Sequence, residues 1–228
     1  MNPRQDQYVN IHAHRLAGYE EEWVLTSVFA QDYQPEEKGT GIFSVGLHPW
    51  HLAETDVEAA LQKVRLATED PDVLAVGEAG LDRSRDIPQD YQLRVFTKQV
   101  EIAGFANLPV IIHNVRANQE LIRFMKEQRP LVPMIIHGFR GGPQLAEQML
   151  HAGFYLSFGV HFLEDKKTAE ALKEIPPERL FLETDEAESD IRILYKKASV
   201  IMGLAPEHLQ NMIRENVRIL FRKLSPKD

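Results

Sequence analysis

Short apolar runs recur along the chain, and most stop at a residue able to ligate or catalyse. Tyr8-Val9-Asn10-Ile11-His12 alternates in the way that sends every second side chain of a strand to one side. Residues 23–29, 42–48, 73–76, 109–113, 132–137, 154–158 and 180–183 read as seven further strands. Helical spacing lies between most of them. Residues 55–69 carry Val57, Leu61 and Val64 on one face and stop before Asp70-Pro71. Residues 89–106 place Tyr91, Val95, Phe96, Gln99, Val100 and Ala103 on one face, with Gly104 near the end. Residues 118–127, 143–151, 165–174, 189–202 and 206–224 complete the helices, with Pro143 and Pro206 in first turns and Ser189 or Asp190 as a cap.

Eight apolar runs, mostly alternating with helices, predict an α/β fold: a distorted (β/α)8 TIM-type barrel. The distortion lies at residues 15–22, too few for the crossover helix that parallel strands usually need. No full helix is expected there. The outer side of the first two strands then needs another cover: Leu16 and Tyr19 folding back, the C-terminal helix, or a second chain. No repeat, low-complexity stretch or Pro/Gly/Ser linker interrupts the pattern, so residues 1–228 read as one domain.

Polar residues at the strand ends carry the chemistry. His12 and His14, His48, Glu78, His113, His137 and Asp185 each follow an apolar run, at the end of a parallel barrel where active sites gather. Each has an ordinary explanation alone: a chance His-x-His pair, a loop acid, a satisfied core histidine, a turn aspartate. The ordered set points instead to a metal site centred on Glu78. His12 and His14 leave a strand end on the same face and can grip one cation. Nitrogen and oxygen donors suit Zn, Mn, Ni or Mg without choosing among them. Six of these residues, His48 aside, exceed the needs of one tetrahedral ion and suit two divalent metal ions sharing a carboxylate. His48 reads as a substrate contact, and His51 is divided between that role and packing beside Trp50. His151, His161 and His208 read as structural or exposed.

Composition narrows the alternatives. The chain of 228 residues has no cysteine, so disulfides, thiolate ligands and thiol nucleophiles are excluded. Hydrophobic content of 43% and charged content of 26% are ordinary for a soluble protein. No apolar run approaches a membrane span, and the N-terminal residues lack a signal-peptide core, so a cytoplasmic location without membrane contact is expected. The net charge of −8 provides no global field for nucleic acid. Arg214, Arg218 and Arg222 form a stripe on the last helix that reads as a solvated face, with Arg222 and Lys223 suited to the helix C-terminal dipole.

The segments Asn10-Ile11-His12-Ala13-His14, Val45-Gly46-Leu47-His48-Pro49, Gly77-Glu78-Ala79-Gly80-Leu81-Asp82, Pro109–His113, His137-Gly138-Phe139-Arg140-Gly141 and Leu182-Glu183-Thr184-Asp185 resemble the signatures of the TatD family of metal-dependent hydrolases, in that family's order. Residues 215–221 resemble its C-terminal helix, so the likeness runs from about residue 8 to 222. The resemblance implies two divalent metals, one held by His12, His14, Glu78 and Asp185 and the other by Glu78, His113 and His137. It also implies phosphodiesterase chemistry on DNA, commonly exonucleolytic. Asp185 or Glu78 would position the attacking water, and His48, Arg116 or Arg140 would face the phosphate, with Arg83 or Arg85 reaching its neighbours.

The chain departs from the family pattern in places. Asn10 stands where the family usually has aspartate, and Arg116 lies three residues after His113 rather than two. Glu186-Ala187-Glu188 replaces a longer loop after Asp185. With short loops after the first and eighth strands, the mouth is expected to be open and to admit a DNA 3′ end. Two other readings carry different marks. Hydrolysis of amides or esters by a wider amidohydrolase-type site is one, although many such sites use a carboxylated lysine where this chain has Glu78. A non-catalytic binding module would have lost ligands, and none is lost. The oligomeric state, monomer or homodimer, is left open.

Overall fold

The computed structural model describes residues 2–37 and 39–221. Eight parallel strands lie in one sheet in chain order: β1 (Tyr8–Ala13), β2 (Glu22–Phe29), β3 (Ile42–Gly46), β4 (Val73–Asp82), β5 (Val110–Val115), β6 (Met134–Ile136), β7 (Tyr155–Phe158) and β8 (Leu180–Leu182). Among the described residues, seven α-helices cover them: α1 (Val57–Ala67), α2 (Gln89–Ala106), α3 (Asn118–Gln128), α4 (Pro143–His151), α5 (Lys166–Glu174), α6 (Ile191–Met202) and α7 (Pro206–Leu220). The strands are buried nearly throughout because both faces are covered, one by the barrel interior and one by helices. The barrel is nearly closed. β1 and β8 meet at a single parallel bridge between Ala13 and Asp185, where Asp185 N donates to His12 O at 3.0 Å.

Pro143 and Pro206 stand in the first turns of α4 and α7 as the sequence predicts, and aspartates cap three other helices. The Asp56 carboxylate accepts from Ala59 N ahead of α1, and Asp165 and Asp190 do the same for α5 and α6. Asp190, not Ser189, caps α6. The predicted continuation of the last helix to 224, with Arg222 and Lys223, lies outside the described residues.

The short connection between β1 and β2 has no helix. A buried carboxylate organises it instead. Glu22 accepts from Arg15 at 2.7 and 2.8 Å, from Gly18 N at 2.9 Å and from Asn10 Nδ2 at 3.0 Å. The burial that would raise the Glu22 carboxyl is outweighed by these donors, which hold it below the usual range. The outer side is covered as the sequence requires. Tyr19 donates to Asp190 at 2.8 Å and lies under the Arg192 guanidinium, while α7 ties down the foot of β1 through Gln210 to Asp6 O and Gln7 O. Trp23 packs edge-on against Phe221.

β4 corrects one expectation. The sequence pattern ends a strand at residue 76 with Glu78 at its carboxyl end; the strand instead continues to Asp82, and Glu78 lies within it. Glycine permits this. A Cβ on Gly80 (φ +156°) would lie 2.0 Å from the His113 carbonyl oxygen, and one on Gly77 (φ +147°) 2.5 Å from that of Ile111. The β4–β5 register also slips here: Val76 pairs with Val110, but Ala79 pairs with Ile112. The extra residue is a bulge, and bulges re-aim side chains. A second slip between Asn10 and Ala13 in β1 brackets His12.

Candidate metal centre

Strand ends bring the predicted residues to one point. His12 and His14 come from β1 and the residue after it, Glu78 from β4, His113 from β5, His137 from just beyond β6, and Asp185 from beyond β8. The carboxylate of Glu78 is the hub. Its Oε2 lies 3.5 Å from His12 Nε2 and 3.6 Å from His14 Nε2. Its Oε1 lies 2.8 Å from His113 Nδ1, 2.7 Å from His137 Nε2 and 3.2 Å from His48 Nε2. Asp185 Oδ1 lies 3.5 Å from both His12 Nε2 and His14 Nε2.

One of these two sets has the spacing of a cation site, whereas the Oε1 contacts at 2.7 and 2.8 Å are hydrogen-bond lengths. Donors bound at about 2.1 Å around one tetrahedral ion sit roughly 3.4 Å apart. Those around His12, His14, Glu78 and Asp185 lie at 3.5–3.6 Å, too long for hydrogen bonds. His12 Nδ1 and Nε2 are buried without a hydrogen-bond partner, a costly state that an ion on Nε2 would relieve. Burial alone would raise the Glu78 carboxyl, but the surrounding histidines, His137 foremost, hold it well below the usual range. Asp185 is held at about 2: burial works upward, and His12 outweighs it. Both acids are therefore ionised, as ligands must be.

Two further acids, missed by sequence reasoning, orient the histidines. Asp82 Oδ2 lies 3.1 Å from His113 Nε2, the ring nitrogen turned away from Glu78. Burial raises the Asp82 carboxyl, but hydrogen bonds led by Ser84 and Trp50 bring it to about 2. Glu183 Oε1 accepts from Gly138 N at 2.6 Å and lies 3.4 Å from His137 Nδ1. Carboxylates placed behind ligating histidines fix ring orientation and raise basicity. Asn10 supports the opposite wall: its Oδ1 accepts from Thr184 N at 3.0 Å and its Nδ2 donates to Thr184 Oγ1 at 2.8 Å, next to Asp185.

The remaining predicted residues separate. His48 is buried within the donor cluster, not merely on the substrate wall. Arg116 and Arg140 both line the cleft of about 480 Å³ above the cluster. Arg116 adopts a left-handed backbone (φ 55°) at the one-residue departure noted in the sequence, and Arg140 donates to His161. His51 packs on Phe29 at 4.8 Å. Arg83 pairs with Glu120 at 2.9 Å in an exposed position.

A sequence model of TatD-related DNases matches residues 28–222. The chain belongs to the TatD family. It is accordingly a metal-dependent hydrolase, and two relatives at similar identity span most of it. YabD of Bacillus subtilis, described as an uncharacterized metal-dependent hydrolase, is 32% identical over 196 residues, 78% of this chain and 76% of YabD. The 3′-5′ ssDNA/RNA exonuclease TatD of Erwinia billingiae is 32% identical over 222 residues, 87% of this chain and 84% of that protein. Among solved structures, the TatD homologue YjjV of Escherichia coli superposes with a TM-score of 0.84 at 21% identity, covering 98% of this chain and 100% of YjjV; at that identity the likeness concerns the fold. No helix among the described residues is long and apolar enough to cross a membrane.

Proposed function

We propose that this TatD-family chain is a phosphodiesterase that removes nucleotides from DNA 3′ ends with two divalent ions. The observation that carries the reading is Glu78, whose two carboxylate oxygens face different histidine sets. One ion would be held by His12, His14, Glu78 and Asp185, the other by Glu78, His113 and His137. When bound, such a pair polarises a phosphoryl oxygen and activates water near neutral pH. The protein's own groups do the rest. Asp185, 41% exposed and ionised, faces the cleft, where its free oxygen orients the attacking water and accepts its proton. Arg116 and Arg140 hold the phosphate, and His48, 3.2 Å from Glu78 Oε1, steadies that carboxylate.

The open cleft and the exonuclease activity named for the Erwinia relative favour a chain end as substrate. The test compares end-labelled single-stranded DNA, closed circular DNA, and simple amides and lactones at matched metal, with a chelator control. Stepwise loss of 3′ nucleotides that stops in chelator is expected. Turnover confined to amides or lactones would overturn the reading; cutting of closed circles would remove the requirement for an end.

A further inference from the structure

Trp50 enters the metal centre only through its hydrogen bond to Asp82, yet its indole lines the same cleft and is 45% exposed. Its neighbours make it a rigid wall. The indole N–H donates to Asp82 Oδ2 at 2.6 Å, and the same oxygen lies 3.1 Å from His113 Nε2. The ring meets His48 edge-on at 4.9 Å and His113 at 5.9 Å. An aromatic plane is thereby held one side chain away from the ligand cluster. Arg85 lies over the ring, with Cζ 4.0 Å from its centroid, and makes no other described hydrogen bond or ion pair. Arg83, two residues earlier, is already paired with Glu120.

Holding Asp82 needs a single N–H donor and does not require a half-exposed indole beside an uncommitted cation. An aromatic face together with an arginine is the pairing that receives an unpaired base and its phosphate in single-strand binding. Resting on the phosphodiesterase reading above, we infer that Trp50 is a stacking platform for the unpaired base next to the scissile phosphate, with Arg85 moving off the ring to the adjoining phosphate as the base takes its place. A base in a duplex is already stacked and paired, so this subsite selects single-stranded ends. The chain's net charge of −8 gives duplex DNA no compensating attraction.

The test uses single-stranded oligonucleotides whose 3′ nucleotide either bears a base or is abasic. Metal-loaded wild type should favour the base-bearing end roughly tenfold in kcat/KM, within the range for base–aromatic stacking. Trp50→Phe keeps a ring and loses the donor to Asp82; Trp50→Leu loses both. Stacking predicts that Phe retains the preference within about threefold and Leu abolishes it. If Trp50 only holds Asp82, both variants lower turnover alike and leave the ratio unchanged, which overturns the inference. Binding supplies a second readout. Trp23 is 5% exposed and packed on Phe221, so indole quenching by a phosphorothioate-ended, uncleavable oligonucleotide reports Trp50. Quenching by the base-bearing end alone supports the platform; equal quenching by both ends overturns it. Hydrolysis of both ends at equal rates would sink this subsite and leave the phosphodiesterase reading standing, whereas hydrolysis of neither would sink both.

Discussion

Replacing Asn10 by aspartate puts a second carboxylate where Asn10 Nδ2 now donates to Glu22 Oε1 at 3.0 Å, in a buried site. Two unit charges at that distance repel by about 5.5 kcal/mol at an effective dielectric of 20. The Asn10→Asp variant has a less costly route, because the introduced carboxyl can fold protonated and donate to Glu22. From an unfolded pKa of about 3.9, that protonation costs about 4 kcal/mol at pH 7 and about 1.5 kcal/mol at pH 5. The sign follows from linkage. The folded pKa of the introduced carboxyl is raised, so the cost is absent below the unfolded pKa and grows as pH rises toward the folded one. At pH 7 the melting temperature should drop by roughly 8–16 °C, and most of that gap from wild type should close by pH 5. Adding Glu22→Gln to the same chain should restore stability at pH 7, since the new amide can donate to the introduced carboxylate and Arg15 is partly open to water. Thermal melts of wild type, single and double variants at both pH values check this. An Asn10→Asp penalty that is independent of pH, or is not relieved by Glu22→Gln, would refute the charge argument.

Gly80→Ala should cost roughly 3 kcal/mol or more, because its Cβ meets the His113 carbonyl in a positive-φ residue, and a melt shifted by less than a third of that would contradict it. Asp82→Asn should weaken metal retention by roughly 10–100-fold, read by chelator competition, with little loss of fold; unchanged retention would remove its orienting role. Asp185→Asn should lower turnover by roughly a hundredfold or more at saturating metal, and near-wild-type turnover would move the water-orienting role to Glu78.

The strand-and-helix rhythm and the six residues that converge on one point were legible because each is a local pattern: an apolar run, then a donor. What escaped was long-range. Asp82 and Glu183 stand in plain view after their strands, but which histidine each supports depends on barrel order and on which ring nitrogen faces Glu78. Glu22 looks like the last of three exposed acids, Glu20-Glu21-Glu22; only the missing crossover helix turns it inward onto Arg15 and Asn10. Gly77 and Gly80 read as stops when they are the means by which β4 passes close to β5. Trp50 meets Asp82 across 32 positions of sequence, a contact that no local pattern announces.

The central claim is that Glu78 joins two ions. Metal content per chain, measured by elemental analysis after equilibration with excess metal and removal of the unbound fraction, tests it most directly. Wild type is predicted to hold two ions, and Glu78→Gln well below two, with the barrel still folded because the apolar core is untouched. One ion in the wild type, or two retained in the variant, would contradict the bridging role.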